Sequence, residues 1–228
     1  MALVPLTIPP GVYRNGTDLQ SAGRWRDASL VRWIDGTMRP VGGWAQRASV
    51  ASDPIRAMWT WIDLGLDRYI ACGSASNLYA VSVAGTVTDI TPAGLTSGIV
   101  DAAVNLGYGG GYYGTGYYGV ARPDVGAITE ATTWSLDNWG ETLVACSSAD
   151  MDIYDWDLDV GNNAVAVSGA PTASAIVVTE ERFLFALGAG GNPRKVQWCD
   201  REDNTVWTPS GTNEAGDIEL QTSGRIMQ

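Results

Sequence analysis

The carboxylates of residues 200–219 form one group of side chains that could catalyse a reaction. It contains six acidic side chains within twenty positions, which are Asp200, Glu202, Asp203, Glu214, Asp217 and Glu219. Two facing carboxylates can hydrolyse a glycosidic bond, one as the acid and the other as base or nucleophile. In a chain with 25 acidic residues such a cluster is expected by chance, and the absence of histidine excludes Ser-His and Cys-His nucleophile systems. We therefore expect no enzymatic activity.

A glycine-rich run at residues 107–119, GYGGGYYGTGYYG, contains two matches to GxGxxG. Such glycines bind phosphate when a strand precedes them and a helix N-terminus follows. Here residues 121–124, ARPD, form a poor helix start. We interpret the run as a projecting contact loop without a nucleotide, since tyrosines between glycines suit an adaptable surface. Its candidate interface residues are Tyr112, Tyr113, Tyr117 and Tyr118.

Two patterns that could indicate metal sites are incomplete. Residues 155–161, DWDLDVG, resemble the start of a calcium loop, but Val160 separates the third aspartate from the glycine, and Ala166 stands where glutamate is required. Strand alternation instead predicts that the three aspartates share one solvated face. The three cysteines, at positions 72, 146 and 199, have no CxxC spacing, and we interpret them as small buried apolar residues. We expect neither metal nor other cofactor.

Charge is unevenly distributed along the 228 residues. The net charge is -11, yet residues 1–56 carry +3 and residues 57–228 carry -14. An acidic protein repels polyphosphate and anionic lipid, so we expect no general nucleic-acid binding. The start MALVPLTIPPG lacks the features of a signal peptide, and no stretch approaches the length of an apolar membrane span. We expect a protein made in a reducing cytoplasm and not inserted into membranes.

The basic part includes residues 24–44, RWRDASLVRWIDGTMRPVGGW. Arginine is favoured where guanidinium groups pair with carboxylates or stack on aromatic rings. One interpretation is a strand pair with arginine stacked on tryptophan, each contact contributing roughly 0.5–2 kcal/mol. A compatible interpretation is a docking element for an acidic surface of a neighbouring copy. The candidate interface residues are Arg24, Trp25, Arg26, Arg32, Trp33, Arg39 and Trp44.

The elements that position these residues are predicted to be strands. With 28 glycines and 10 prolines, the chain lacks long stretches of helical periodicity and has short alternating runs. Asp35-Gly36 between two strand-like runs predicts a hairpin with a type I′ turn. Residues 55–62 alternate as a strand with one face towards a core.

Three later segments resemble one another, each predicting a strand, a turn and a second strand. They cover residues 59–81, 134–156 and 182–198. In these frames Cys146 and Leu187 lie 41 residues apart, a spacing typical of four-stranded propeller blades, and Cys72 aligns with Cys146. We predict an all-β, propeller-like fold that does not close its circle. Residues 1–50 form an arm and hairpin, and residues 51–228 form the propeller-like domain, with residues 107–119 as an insertion.

Several long motifs in order resemble one family. They are PPGVYRNGTDLQSAGRW, LVRWIDGTMRPVGGW, GYGGGYYGTGYYG, TWSLDNWGETLVAC and WCDREDNTVWTPSGTNEAGDIELQTSGRI. These are similar to successive landmarks of the tail nozzle, or packaged-DNA stabilisation, proteins of short-tailed bacteriophages, and the resemblance covers nearly the whole chain.

The resemblance implies a non-catalytic virion protein of the phage tail, built around a β-propeller and assembled in the host cytoplasm. Several copies, six in the expected ring, would surround the channel through which duplex DNA passes without tight binding. Other tail, portal or adaptor proteins would be its neighbours, and its position could be nozzle, adaptor or hub. Two alternatives are a carbohydrate-binding module that recognises a host receptor and a propeller-type glycosidase.

Overall fold

The computed structural model describes residues 8–50, 53–104 and 128–226. The chain divides into two compact units, Met1–Arg47 and Ala48–Gln228. The described residues form strands, turns and one short 3-10 turn at Ala189–Gly191, with no α-helix. The predicted all-β class is confirmed. No helix in this part of the chain has the length and apolarity needed to span a bilayer.

The Met1–Arg47 unit contains the predicted hairpin. Strand β1, Val31–Ile34, pairs antiparallel with β2, Thr37–Pro40. Asp35 and Gly36 connect them with φ of 50° and 74°. Positive φ at both central residues is the requirement of a type I′ turn, which matches the twist of the two strands.

The Ala48–Gln228 unit contains three four-stranded antiparallel sheets, each a meander in chain order. Sheet A comprises β3 Ala57–Ile62, β4 Arg68–Gly73, β5 Leu78–Ser82 and β6 Val87–Asp89. A separate two-stranded pair is formed by β7 Ala103–Val104 and β8 Ile128–Thr129. Sheet B comprises β9 Trp134–Trp139, β10 Thr142–Ser147, β11 Ile153–Trp156 and β12 Val165–Ala166. Sheet C comprises β13 Ala175–Val178, β14 Leu184–Leu187, β15 Lys195–Trp198 and β16 Gly216–Glu219. The predicted strand pairs are the central strands of these sheets.

Sheet B is buried on both faces because its strands alternate two apolar sets. One set packs with sheet A in a cluster that includes Leu143, Ala145 and Trp156. The intervening residues, among them Val144 and Cys146, pack with sheet C in a second cluster. The core therefore consists of two layers of side chains between three stacked sheets.

Alternation also corrects the sequence alignment of Cys72 with Cys146. Cys146 lies on the face of sheet B that packs against sheet C, the next sheet in the chain. In sheet A it is Ala71 that packs against the next sheet, while Cys72 is buried outside that cluster. A one-residue slip moves a side chain to the opposite face, so the alignment was one residue out of register.

The junction of sheets A and B depends on a glycine. Trp134 is 3% exposed, and its indole N–H donates to the Ser74 carbonyl at 2.7 Å. A Cβ at Gly73 would lie 2.4 Å from the Trp134 ring. Only a residue without a side chain leaves room for the indole at this position.

The junction of sheets B and C is polar at its first strands. The Ser135 hydroxyl accepts from the backbone N–H of Ile176 at 3.0 Å and donates to the carbonyl of the same residue at 3.0 Å. Two residues further on, the Asp137 carboxylate accepts from the N–H of Val178 at 2.8 Å. Both pairs are separated by 41 residues, the repeat spacing seen in the sequence. Side chains of β9 thus fix the backbone of β13.

Candidate assembly surfaces

The β1–β2 hairpin has one cationic and one apolar face. Its register places Arg32 opposite Arg39, and Trp33 opposite Met38. Because successive strand residues point to opposite faces, two guanidinium groups share one face and the indole and thioether share the other. Both arginines are exposed, and neither forms an ion pair among the described residues. Like charges directly opposite are destabilising, so this face is suited to carboxylates of another molecule.

The other predicted arginines make contacts within the Met1–Arg47 unit. The Arg24 guanidinium lies 5.7 Å from the centre of the Tyr13 ring, and Arg26 pairs with Asp18. Between them, Trp25 is half-buried, and its carbonyl accepts from the Tyr13 N–H at 2.8 Å. Tyrosine and aspartate, not tryptophan, are the partners of these two arginines. They stabilise the arm and leave the hairpin pair as the better docking candidate.

Trp44 follows the hairpin in an extended segment and is 99% exposed. A Cβ at the preceding Gly42 or Gly43 would meet nothing within 4 Å. An exposed indole offers a large apolar area for burial by a partner, which is typical of residues that dominate interface energetics. The remaining predicted interface residues, Tyr112, Tyr113, Tyr117 and Tyr118, lie outside the described residues.

Sheet C exposes an apolar face that the sequence analysis did not identify. Register and alternation place six large apolar side chains on the side opposite sheet B, which we call the sheet C outer face: Val177, Phe185, Leu187, Val196, Trp198 and Ile218. Val177 is 43% and Ile218 is 54% exposed, and the other four are half-buried. The Trp198 ring covers Gly216, where a Cβ would lie 2.3 Å from it. The available signal was that AIVV and LFAL are apolar at every position, as in strands buried on both faces.

Sheet A also carries exposed apolar residues on the side away from sheet B. Met58 is 63% and Ile62 is 52% exposed, and both lie on β3 with Thr60 between them on the same face. Ile70 on β4 is half-buried on this face, which we call the sheet A outer face. Cys72 and Val81 lie on the same face but are at most 5% exposed, so the exposed apolar part of this face is along β3. Apolar side chains are therefore exposed at both ends of the stack of three sheets.

The acidic residues considered for catalysis lie in turns and ion pairs. Asp217 pairs with Lys195 at 3.2 Å, and both side chains are partly exposed. The Asp203 carboxylate accepts from the Thr205 hydroxyl at 2.6 Å and the Thr205 N–H at 2.9 Å. Hydrogen bonding from the Thr205 side chain, and then from its backbone, lowers the pKa of Asp203. These contacts give Asp217 a cross-strand ion pair and Asp203 a turn-stabilising role.

The prediction that the DWDLD aspartates share a strand face is wrong. Strand β11 ends at Trp156, and Asp157 and Asp159 accept backbone N–H groups in the turn that follows. Asp155 lies in the strand, where Asn204 donates to its Oδ2 at 3.3 Å, while Oδ1 is buried without a hydrogen-bond partner among the described residues. Burial raises the pKa of Asp155.

A cavity of about 670 Å³ lies beside these residues and is lined by Asp155, Asp157, Asn162 and Asn204 among others. The part of the chain that the structure describes holds no group of three or more His, Cys, Asp or Glu residues arranged for a metal ion.

The three cysteines are buried free thiols, as predicted. Burial raises the pKa of Cys146 to about 12, and desolvation also raises the pKa of Cys72 and Cys199. Thiols with such pKa values stay protonated at neutral pH and act as small apolar core residues.

Comparison of the chain with protein-family models, with curated proteins and with solved structures finds no match.

Proposed function

We propose that this protein is a structural component of a bacteriophage tail, in which several copies, six in our proposal, form a ring around the channel for genome DNA. The ring would be a nozzle, adaptor or hub, in contact with other tail or portal proteins, and would catalyse no reaction. The observation that carries the proposal is the pair Arg32 and Arg39, which lie side by side on an exposed hairpin and form no ion pair within the described part of the chain.

Charge supports contacts between copies. The Met1–Arg47 unit carries a net charge of +3 and the Ala48–Gln228 unit carries -14. Opposite charge on two parts of identical chains favours head-to-tail contacts, which close into a ring when the rotation allows. The two arginines would receive carboxylates from the acidic unit of a neighbour.

The sheet arrangement supports a propeller as the architecture of the Ala48–Gln228 unit. Propeller blades are four-stranded meanders placed around a central axis. Sheets A, B and C are such meanders, and β9 packs against both β3 and β13, so that the first strands of the three sheets are neighbours. We propose that these sheets are three successive blades.

The net negative charge of the Ala48–Gln228 unit is compatible with a channel through which DNA passes. Each phosphate neutralised by a basic side chain adds counterion-release affinity, and several such contacts would retain the duplex. A channel lined by the acidic unit would repel phosphates and let DNA pass.

The test is replacement of both hairpin arginines, Arg32→Gln and Arg39→Gln, in the phage that encodes the protein. Glutamine keeps most of the side-chain length and removes the charge. Truncating one partner of a charge pair that is buried and hydrogen-bonded in an interface typically weakens binding by about 2–5 kcal/mol, roughly 30-fold to several thousand-fold in affinity. We expect normal folding and failure of incorporation into tails. Incorporation is measured by quantifying the protein in purified particles.

A matched control removes one exposed charge from the other unit, Arg201→Gln. Arg201 forms no ion pair among the described residues. This control should be incorporated normally. Normal incorporation of the hairpin variant would refute docking through the arginine pair, and absence of the wild-type protein from particles would refute the virion role.

A further inference from the structure

We propose that the sheet C outer face binds the sheet A outer face of a second copy of this chain, so that two chains close one ring of six sheets. The occupant of each exposed face is thus the opposite end of an identical three-sheet stack. The inference concerns the Ala48–Gln228 unit and rests on the blade arrangement proposed above, but not on the hairpin or on a role in phage tails. A ring of six copies would then contain three such pairs.

The interfaces inside the chain show what covers a face of this kind. Sheet A packs on sheet B and sheet B on sheet C, in both cases through a layer of apolar side chains. The same arrangement therefore occurs twice, because each sheet packs against the sheet that follows it in the chain. Continuing the same order beyond sheet C requires another four-stranded sheet with an apolar face.

The sheet C outer face has the composition of a core layer. In the middle sheet, Val144 and Cys146 of β10 point towards sheet C and are at most 1% exposed. The residues 41 positions later are Phe185 and Leu187, which point away from sheet B on β14. Positions that are buried in sheet B are thus also apolar in sheet C, but there no neighbouring sheet covers them among the described residues. The rings of Phe185 and Trp198 also contact each other, with centres 5.7 Å apart, and together they form a continuous aromatic surface on this face.

The sheet A outer face supplies the matching surface. Met58 and Ile62 project from β3 at 63% and 52% exposure. β3 is the first strand of its sheet and a neighbour of β9, as β13 is on the other side of β9. The two exposed faces therefore lie at the two ends of one continuous stack.

The number of sheets indicates two copies. Closed propellers contain about four to eight four-stranded sheets. The described residues form three such sheets, so two copies would give six and would use the same contact twice around a two-fold axis. A pair closed in this way leaves neither apolar face in contact with water.

The experiment measures the mass of the 228-residue chain in solution by analytical ultracentrifugation. The buffer contains about 0.5 M NaCl, which screens exposed charge contacts such as those proposed for the hairpin, while contacts between apolar faces persist. We expect a single species of twice the chain mass. A monomer at all concentrations, or any other copy number, would overturn the proposal even if the chain functions in tails.

Two substitutions then locate the contact. Val177→Asp places a charge in the sheet C outer face, and Ile62→Lys places one in the sheet A outer face. Because burial of an unpaired charge is strongly unfavourable and the contact is used twice, each should raise the dimer dissociation constant by at least about 100-fold. Val160→Asp is the matched control, since Val160 is 70% exposed in the turn after β11 and belongs to neither face. It should leave the dissociation constant unchanged.

Circular dichroism of each variant checks that the sheets have formed. A folded Val177→Asp chain that dimerises as well as the control would overturn the role of the sheet C outer face. A dimer weakened by Val177→Asp but not by Ile62→Lys would show that sheet C pairs with itself, which would also overturn the proposal. The tail-incorporation assay with the hairpin variants has an independent readout, so the two proposals can fail separately.

Discussion

Substitution of Gly73 by alanine tests the packing of sheet A against sheet B. Gly73 is the last residue of β4, and its φ is not positive, so alanine adds no backbone strain. The added Cβ would instead lie 2.4 Å from Cδ1 and 2.5 Å from Cγ of Trp134. Carbon atoms are in favourable contact at about 3.5–4.0 Å. The indole must therefore move by about an ångström or more.

The change in the free energy of unfolding follows from two effects of displacing the Trp134 indole. Inserting a methyl group into a packed core costs about 1–3 kcal/mol. Displacement would also break the buried hydrogen bond from Trp134 to the Ser74 carbonyl, and an unsatisfied buried polar group costs about 1–3 kcal/mol. We expect Gly73→Ala to reduce the free energy of unfolding by about 2–6 kcal/mol. Urea denaturation followed by tryptophan fluorescence measures this difference.

Gly216→Ala is the matched comparison, because its Cβ would lie 2.3 Å from the Trp198 ring. Trp198 is only half-buried on the sheet C outer face, so its ring can shift towards solvent. In the monomer this change should reduce the free energy of unfolding by less than about 1.5 kcal/mol. Gly43→Ala, with nothing within 4 Å, should have almost no effect. A Gly73→Ala effect no larger than that of Gly216→Ala would refute the close packing of the Trp134 indole against Gly73 at the junction of sheets A and B.

Two further predictions concern ionisable groups. Because the pKa of Cys146 is about 12 in the folded protein and ordinarily 9, the unfolded chain loses this proton first, and the free energy of unfolding should fall as pH rises above 9. All three thiols should therefore resist a thiolate-specific reagent at pH 8 in the native protein and react in denaturant, whereas rapid native labelling would contradict the burial. Burial raises the pKa of Asp155 above its ordinary value of 3.8, so the ionised carboxylate opposes folding at neutral pH. Asp155→Asn should accordingly raise the free energy of unfolding at pH 7, and the gain should vanish near pH 3, where the wild-type carboxyl is protonated; a loss at pH 7 would contradict this.

The features predicted correctly from the sequence were those set by local rules. Asp35-Gly36 allowed the hairpin to be located because few residues adopt positive φ at both turn positions. The two central strands of each four-stranded sheet were identifiable from their runs of apolar residues. The prediction that the aspartates of residues 155–159 share a strand face was wrong because the strand ends at Trp156. Two residues later Leu158 adopts a φ of 67°, a turn conformation that the alternation of residue types does not reveal.

The candidate assembly surfaces could be predicted only in part. The Arg32 and Arg39 pair follows from the hairpin register, since a two-residue turn fixes which residues face each other. The sheet C outer face could not be identified because its strands are apolar on both sides, and a sequence alone does not show which side is covered. The partner of Arg24 was also not predictable. Tyr13 approaches Arg24 because its backbone N–H bonds to the Trp25 carbonyl, and this contact depends on the path of the irregular chain between the two residues.

The Ser135 and Asp137 bonds have a consequence for how β13 behaves towards foreign strands. β13 pairs with β14 on one side, and the N–H groups of Ile176 and Val178 are bound on the other by side chains of β9. Free N–H and C=O groups along a strand are the template on which aggregating proteins add further strands. Here a hydroxyl and a carboxylate from the neighbouring sheet occupy those groups, so β13 is closed to intermolecular strand addition although only one strand pairs with it. A chain with Ser135→Ala should expose this template, and it should aggregate during refolding at concentrations where the wild-type chain stays in solution.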